Sequence, residues 1–275
     1  MRLFIFGLGY AATRLARAVE PLGFRVAGTG GGSDIAFTDH DRVTFELEHA
    51  THILSSVPPG EADPVLAAYG DPLRQANAWL GYLSSTGVYG DSRGGWVDES
   101  APTGGRRSAR VTADAEWLEL GARVFRLPGI YGPGRSALDR VRSGQAQRVD
   151  APGQVFSRIH VDDLVAGVIA GFDGPPGAYN LADDEPAPQS DVLAYACELL
   201  GLPVPPLVAL SDATITPQAR AFYSENRRVA AGKAHRLLGW RPRYPTYRLG
   251  LRALSATTSP ISTSTAPPAA SHDQR

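Results

Sequence analysis

Leu3-Phe4-Ile5-Phe6-Gly7-Leu8-Gly9-Tyr10-Ala11-Ala12-Thr13-Arg14-Leu15-Ala16 is the stretch whose reading decides the fold of this 275-residue chain. The apolar run Leu3 to Phe6 reads as a buried strand. It breaks at two glycines and resumes as a helix with Ala12, Leu15, Ala16 and Val19 on one face. Gly7 permits a tight turn, Gly9 keeps side chains off a pyrophosphate, and Ala12 lets helix and strand pack closely. The free N–H groups at the helix start, from Tyr10 and Ala11 onward, face the phosphates. The stretch predicts a dinucleotide site.

Composition narrows the alternatives. Lys and Arg total 27 against 28 Asp and Glu, a net charge of -1 with both signs interspersed, so no basic footprint points to nucleic acid. The single cysteine, Cys197, excludes an internal disulfide and a cysteine-based metal cage. It lies in an apolar helical stretch and reads as a small core residue. No apolar run reaches membrane-spanning length, and the first strand begins at Arg2, so a cytoplasmic location is expected. The acidic run Asp183-Asp184-Glu185 reads as a helix cap rather than a cation site, and no metal is expected.

Further along, Gly23 to Thr29 reads as a second strand whose end, at Thr29, faces the adenosine ribose of a dinucleotide. Gly30-Gly31-Gly32 follows, with neither the acid that favours NAD nor an arginine that favours NADP. The glycines leave room for a 2′-phosphate but supply no charge. Arg42 to Phe45 reads as a weak third strand and Thr51 to Gly60 as a better fourth, an apolar run that ends in a proline-fixed turn, its Ser55 and Ser56 lining the adenosine side. Asp63 and Pro64 open a helix as N-cap and first helical residue. The stretch Trp79 to Asp91 opens with a buried strand that ends in three hydroxyls, Ser84, Ser85 and Thr86. Asp162 or Asp163 is expected to cap the helix after His160, and Ser190 or Asp191 the helix that contains Cys197.

The segment Ser84-Ser85-Thr86-Gly87-Val88-Tyr89-Gly90 resembles the Ser-Ser-x-x-Val-Tyr-Gly signature of the extended short-chain dehydrogenase/reductases, the NAD-dependent epimerase/dehydratase superfamily. Four later segments resemble that family in order and spacing: Arg126 to Arg135, Ile159 to Leu164, Tyr179 to Asp183, and Leu237-Leu238-Gly239-Trp240-Arg241-Pro242. The resemblance implies an α/β fold of Rossmann type, a doubly wound parallel sheet with a small C-terminal substrate lobe. It places dinucleotide binding mainly in residues 1–182 and the lobe in 183–254. The Ser/Thr/Pro/Ala-rich residues 255–275 read as a disordered tail. It also implies NAD or NADP as cofactor, with Pro128 at the nicotinamide and Ser85 at the catalytic serine position. Thr86 and Arg135 are then candidates for substrate contact. A paired-helix homodimer is common in the superfamily.

One departure matters. The family carries Tyr-x-x-x-Lys on the helix after the serine strand, the tyrosine as general acid/base and the lysine lowering its pKa. Counting back from Glu116, this chain has Ser108 and Thr112 there. A serine hydroxyl is far too weak an acid to replace a phenol near neutral pH. The resemblance therefore resolves to an atypical member: an NAD(P)-binding oxidoreductase or epimerase-like protein acting on a small polar, carbonyl or sugar-like substrate. The alternative is a dinucleotide-binding redox sensor without turnover.

Overall fold

The fold follows from strands that alternate their side chains across a sheet and helices that cover both faces. The structure is a computed structural model and describes residues 1–258. The first half contains strands β1 (Arg2–Phe6), β2 (Arg25–Thr29), β3 (His52–Ser55), β4 (Trp79–Ser85) and β5 (Trp96–Val97). Its helices are α1 (Tyr10–Val19), α2 (His40–His49), α3 (Pro64–Gln75) and α4 (Ser108–Glu119). Then come β6 (Arg123–Leu127), β7 (Gly129–Tyr131), α5 (Ala137–Arg142), β8 (Arg148–Asp150), β9 (Arg158–His160), α6 (Val161–Ala170) and β10 (Gly177–Asn180). The C-terminal part holds α7 (Gln189–Leu200), β11 (Leu207–Ala209), α8 (Pro217–Phe222), β12 (Arg228–Val229), α9 (Gly232–Leu237) and α10 (Tyr247–Thr258).

Six parallel strands form the central sheet in the order β10-β6-β4-β3-β1-β2. The chain leaves β1 towards β2 and then crosses back over it to β3, so the strand order reverses between β1 and β3. Open α/β sheets bind ligands outside the carboxyl ends of their strands at such a point. Leu3 and Ile5 of β1 pack with Ala12, Leu15 and Val19 of α1 and Leu164, Val165 and Val168 of α6. Phe4 and Phe6 point the other way, into α2, α3 and α4 through Val43, Leu47, Val65, Tyr69, Leu73, Ala113 and Trp117. This is a doubly wound Rossmann-type sheet. A third cluster, including Tyr131, Leu138, Leu193, Ala196, Tyr247 and Leu251, joins α5 to α7 and α10.

Several sequence expectations are corrected. Arg42 to Phe45 is not a strand but part of α2: Val43 and Leu47, one turn apart, are the buried pair, and Phe45 is 52% exposed. Asp39 caps that helix by accepting the Arg42 N–H at 3.2 Å. The helix after β9 is capped by His160, whose Nδ1 accepts the Asp162 N–H at 3.2 Å, and not by either aspartate. Asp163 instead accepts the N–H groups of Arg243 and Tyr244 at 2.7 and 3.0 Å, tying the Leu-Gly-Trp-x-Pro segment to α6. Pro188 occupies the cap position of α7, ahead of Ser190 and Asp191, with no side-chain cap. Residues 255–258 continue α10, so the helix runs past the expected start of the tail. The rest of that stretch, 259–275, lies outside the described residues.

Other readings hold. Asp63 accepts the Val65 and Leu66 N–H groups at 2.9 and 3.0 Å, with Pro64 at the first helical position. Cys197 is a buried, free thiol.

A buried polar network ties the sheet to α4. Arg126 forks onto Asp114 (Nη2 to Oδ1, 2.6 Å), and Ser84 donates to the same carboxylate at 2.6 Å. Arg126 also donates to the Tyr89 hydroxyl at 3.0 Å, which donates to Asn180 Oδ1 at 2.7 Å. Burial opposes the Arg126 charge, but Asp114's hydrogen bonds and charge more than restore it, so its pKa rises. The pair is 5% and 2% exposed at the side chains, so removing one member strands the other charge in the core. Asp114→Ala is expected to cost about 3–5 kcal/mol in urea unfolding. A loss below about 1 kcal/mol would show that the pair is not the tie described here.

Candidate cofactor edge and substrate cleft

At the β1–α1 turn, Gly7 has φ +83, where L side chains are strained, and a Cβ on it would stand 2.9 Å from Val57 Cγ2. The Gly7 and Leu8 N–H groups donate to the Thr29 carbonyl at 3.1 and 2.8 Å, and Ser56 Oγ donates to the Gly7 carbonyl. Thr29 is buried, and its hydroxyl accepts the Gly7 N–H at 3.3 Å. Ser55 is fully buried, and its hydroxyl has no partner among the described residues. Thr29, Ser55 and Ser56 therefore lie beneath the turn.

Gly9 is different. It is exposed, and a Cβ built on it meets nothing within 4 Å. It takes the N-cap position of α1 without a side-chain cap, and no acid lies in the first turn. The first N–H groups of the helix, on Tyr10, Ala11 and Ala12, have no intrahelical acceptor. This positive helix end is open on the side where a pyrophosphate would approach, so the turn fits that group.

Two arginines flank the same end. The Arg14 and Arg135 guanidinium carbons lie 5.1 and 5.7 Å from the Tyr10 ring centroid, and the Tyr10 hydroxyl donates to the Pro133 carbonyl at 3.1 Å. Burial raises the Tyr10 pKa, against the pull of both arginines. Arg135 thus stands beside the glycine turn.

The loop after β2 closes on the turn. A Cβ on Gly31 would fall 1.7 Å from the Leu8 carbonyl oxygen, so its missing side chain serves this close approach rather than clearing space for a ligand. The sequence showed no cation near this strand end. The structure brings Arg42 there, ion-paired with Asp34 at 2.6 Å.

At the end of β4 the three hydroxyls have separate surroundings. Ser84 turns into the buried network. Ser85 is half-buried and accepts the Gly87 N–H at 3.1 Å, which leaves its own proton to donate. Thr86 is buried at 5% exposure. Ser85 pairs in register with Leu127, so half-buried Pro128 follows directly beside it.

Ser108 and Thr112 lie one turn apart on the exposed face of α4, a helix with neither tyrosine nor lysine. The chain has a single lysine, Lys233. It packs over the Tyr179 ring at 4.9 Å, beside Gly177 at the start of β10, the opposite edge of the sheet from Ser85.

Sequence reasoning missed Arg227, whose neighbours come from distant segments. Its Nη1 donates to the Gly90 carbonyl at 2.5 Å and to Glu225 at 2.9 Å, and Arg106 also pairs with Glu225 at 3.5 Å. Its Nη2 lies 4.0 Å from a Cβ built on Gly87, while Ser85 Oγ is 3.3 Å from that point. Asn226 fixes the segment, donating its N–H to Asp91 at 2.8 Å and its Nδ2 to the Gly153 carbonyl at 2.9 Å.

No protein-family model matches the chain. A solved structure of a functionally unknown conserved protein from Silicibacter pomeroyi DSS superposes with a TM-score of 0.82 at 44% identity, over 93% of this chain and 98% of that one. This chain belongs to that protein's family. UDP-glucose 4-epimerase from Thermotoga maritima superposes with a TM-score of 0.74 at 14% identity, over 93% of this chain and 98% of that one. The human epimerase family protein SDR39U1, solved with NADPH, gives 0.73 at 16% over 93% and 99%. The fold is that of the NAD-dependent epimerases and dehydratases, as the resemblance implied. In sequence, the chain is 30% identical over 178 residues to a 3-diazoavenalumate denitrifying reductase from a Streptomyces species. That match spans 56% of this chain and 58% of the relative. Among the described residues, no cluster of three or more His, Cys, Asp or Glu is placed to hold a metal, and no helix is long and apolar enough to cross a membrane.

One buried acid is out of balance. Asp183, just after β10, is 2% exposed, and neither carboxylate oxygen has a well-formed hydrogen bond among the described residues. Desolvation pushes its pKa up to about 8, and the Arg158 charge and nearby backbone N–H groups offset only part of that. The folded chain holds this proton at pH values where the unfolded chain, with an ordinary carboxyl near pH ~4, has released it. Stability from this group therefore falls as pH rises from about 4 to about 8, by up to about 1.4 kcal/mol per pH unit. Asp183→Asn should match the parent near pH 4 and become progressively more stable than it towards pH 8, read from denaturant midpoints. A difference independent of pH would contradict this.

Proposed function

We propose that the protein binds NAD or NADP along the carboxyl edge of the sheet and acts as a reductase on a small polar substrate held near Ser85. The observation that carries the reading is the uncapped start of α1 over the open face at Gly9, flanked by Arg14 and Arg135 at the strand-order reversal. Gly7, Gly9, Tyr10 and Ala11 form the turn against the pyrophosphate, and Thr29, Ser55 and Ser56 support it from below. Pro128 stands at the nicotinamide end beside Ser85. When bound, the reduced cofactor supplies a hydride. Ser85 orients the acceptor through its free proton, Thr86 backs it from the buried side, and Arg135 supports the phosphate end.

The bare helix α4 restricts the chemistry. Where the superfamily places its tyrosine and lysine, Ser108 and Thr112 cannot shuttle a proton near neutral pH. The favoured substrate is one that accepts hydride without needing a proton from the protein. A diazo arene in its diazonium form fits: one hydride enters, dinitrogen leaves, and the ring carbon keeps the hydrogen, with charge balanced. The name of the Streptomyces relative, a denitrifying reductase of a diazo acid, supports this. The same bare helix favours the second reading, a dinucleotide-binding redox sensor without turnover.

Gly9→Asp tests the cofactor site. Its side chain meets open space, so the fold should tolerate it, while the carboxylate opposes the pyrophosphate. NADH and NADPH fluorescence titrations should lose at least about 100-fold in affinity (about 2.7 kcal/mol) with an unchanged melting temperature. Retained affinity would show that the turn is not the site.

For turnover, an aryl diazonium substrate should give kcat that is flat from about pH 6 to about pH 9, since no protein group must donate a proton. A bell-shaped profile would contradict the reductase reading, and cofactor binding without consumption on carbonyl, sugar and diazo substrates would favour the sensor.

A further inference from the structure

We propose that Arg227 and Ser85 form a two-donor seat over Gly87 that takes a carboxylate of the substrate, so that the protein acts on small organic acids. The inference rests on the reading above that substrate is held near Ser85, and it names the chemical group recognised there. Ser85 then orients the hydride acceptor through its carboxylate.

A missing side chain defines the opening. Among the described residues outside its own helical turn, a Cβ built on half-buried Gly87 meets two heavy atoms within 4 Å: Ser85 Oγ at 3.3 Å and Arg227 Nη2 at 4.0 Å. Both atoms carry donors. Ser85 Oγ accepts the Gly87 N–H at 3.1 Å and keeps its own proton to give. Arg227 makes its hydrogen bonds through Nη1, to the Gly90 carbonyl at 2.5 Å and Glu225 at 2.9 Å, which leaves Nη2 without an acceptor among the described residues. The two distances from the Cβ point together cap the separation of Oγ from Nη2. A carboxylate that accepts ~2.7 Å from a hydroxyl at one oxygen and ~2.9 Å from a guanidinium at the other spans a gap of that size.

Both donors are held from below. Ser85 ends β4 in register with Leu127, and the Gly104 and Gly105 N–H groups donate to the Val88 carbonyl, both at 2.9 Å, which fixes the turn under the seat. Asn226 sets the root of Arg227. Its carbonyl accepts the Ser92 and Gly94 N–H groups at 3.1 and 2.8 Å, and its side chain accepts the Val155 N–H at 3.3 Å. Arg228 then enters β12 opposite Trp96. Arg227 thus reaches from the C-terminal part over the end of β4, and the seat lies between the two. Donors placed before the ligand arrives lose little freedom on binding it.

Charge selects the ligand. Arg106 also pairs with Glu225 at 3.5 Å, so two guanidinium groups share one carboxylate and a positive charge is left over. Asp91, the other acid near Arg227, also faces the charge of Arg93. The Arg227 side chain is 17% exposed, so its charge is only partly hydrated. An organic anion restores the balance, whereas a neutral amide of the same shape leaves it as it is.

The test titrates the full chain with benzoate and with benzamide by calorimetry, with and without saturating NADPH. Benzoate should bind at least about tenfold more tightly than benzamide, and Arg227→Gln should abolish that preference. Arg227 also holds the Gly90 carbonyl, so a second variant that leaves this bond in place decides the matter if Arg227→Gln lowers the melting temperature. Gly87→Ala is that variant: the Gly87 φ lies outside the left-handed region, and the added methyl fills the seat. It should abolish benzoate binding with an unchanged melting temperature. Failure of benzoate to bind the parent, equal affinity for benzoate and benzamide, or a folded Arg227→Gln or Gly87→Ala protein that keeps the preference would overturn the proposal. Absence of NADPH binding in the parent chain would instead overturn the cofactor reading, and the cofactor-free titrations judge the seat either way.

Discussion

The Thr29 carbonyl accepts the N–H groups of Gly7 and Leu8, and the shape of the whole carboxyl edge depends on that fork. It fixes β2 against the start of the glycine turn, so that the turn reaches α1 with the first helical N–H groups aimed outward. Gly31 reinforces it by allowing the loop after β2 to lie on the Leu8 carbonyl, where a methyl group would collide. The backbone polar groups of the turn are thus spent on holding its shape. Those of the helix start are left for a ligand, and the helix dipole favours an anion there.

A second constraint holds the other half of the edge. The Asp114–Arg126 pair, with Ser84, Tyr89 and Asn180, locks β4, α4, β6 and β10 together below Ser85. Buried networks of this kind are costly unless every member is satisfied, and here each of these five groups has a partner. The consequence is local rigidity beneath the hydroxyl proposed to orient substrate. The single lysine, Lys233, lies beside the start of β10, at the opposite end of the strands from Ser85. Under the proposed reductase reading, such a site suits an electrophile whose reduction is complete on hydride arrival.

The sequence revealed features governed by local chemistry. The glycine turn, the Asp63-Pro64 helix start and the serine strand are written in adjacent residues, and each appears where expected. Arg42 to Phe45 misled because a four-residue window with Val43 and Phe45 fits an alternating strand. Only Leu47, one turn beyond Val43, shows the helical spacing. The roles of Thr29 and Ser56 as supports beneath the turn were hidden for another reason: which way a hydroxyl faces depends on the neighbouring strand. Arg227 and Asp114 were invisible as site residues because their partners lie at tertiary distance: Gly90 for the first and Arg126 for the second.

The central claim is that a dinucleotide lies across the α1 start and the loop after β2. Amide hydrogen exchange of the full chain, with and without saturating NADH or NADPH, tests it most directly. With whichever cofactor binds, exchange should slow at residues 9–12 and 30–33 and stay unchanged on the distant face formed by α7 and α10. Unaltered exchange at both segments under saturation with either cofactor would contradict the account.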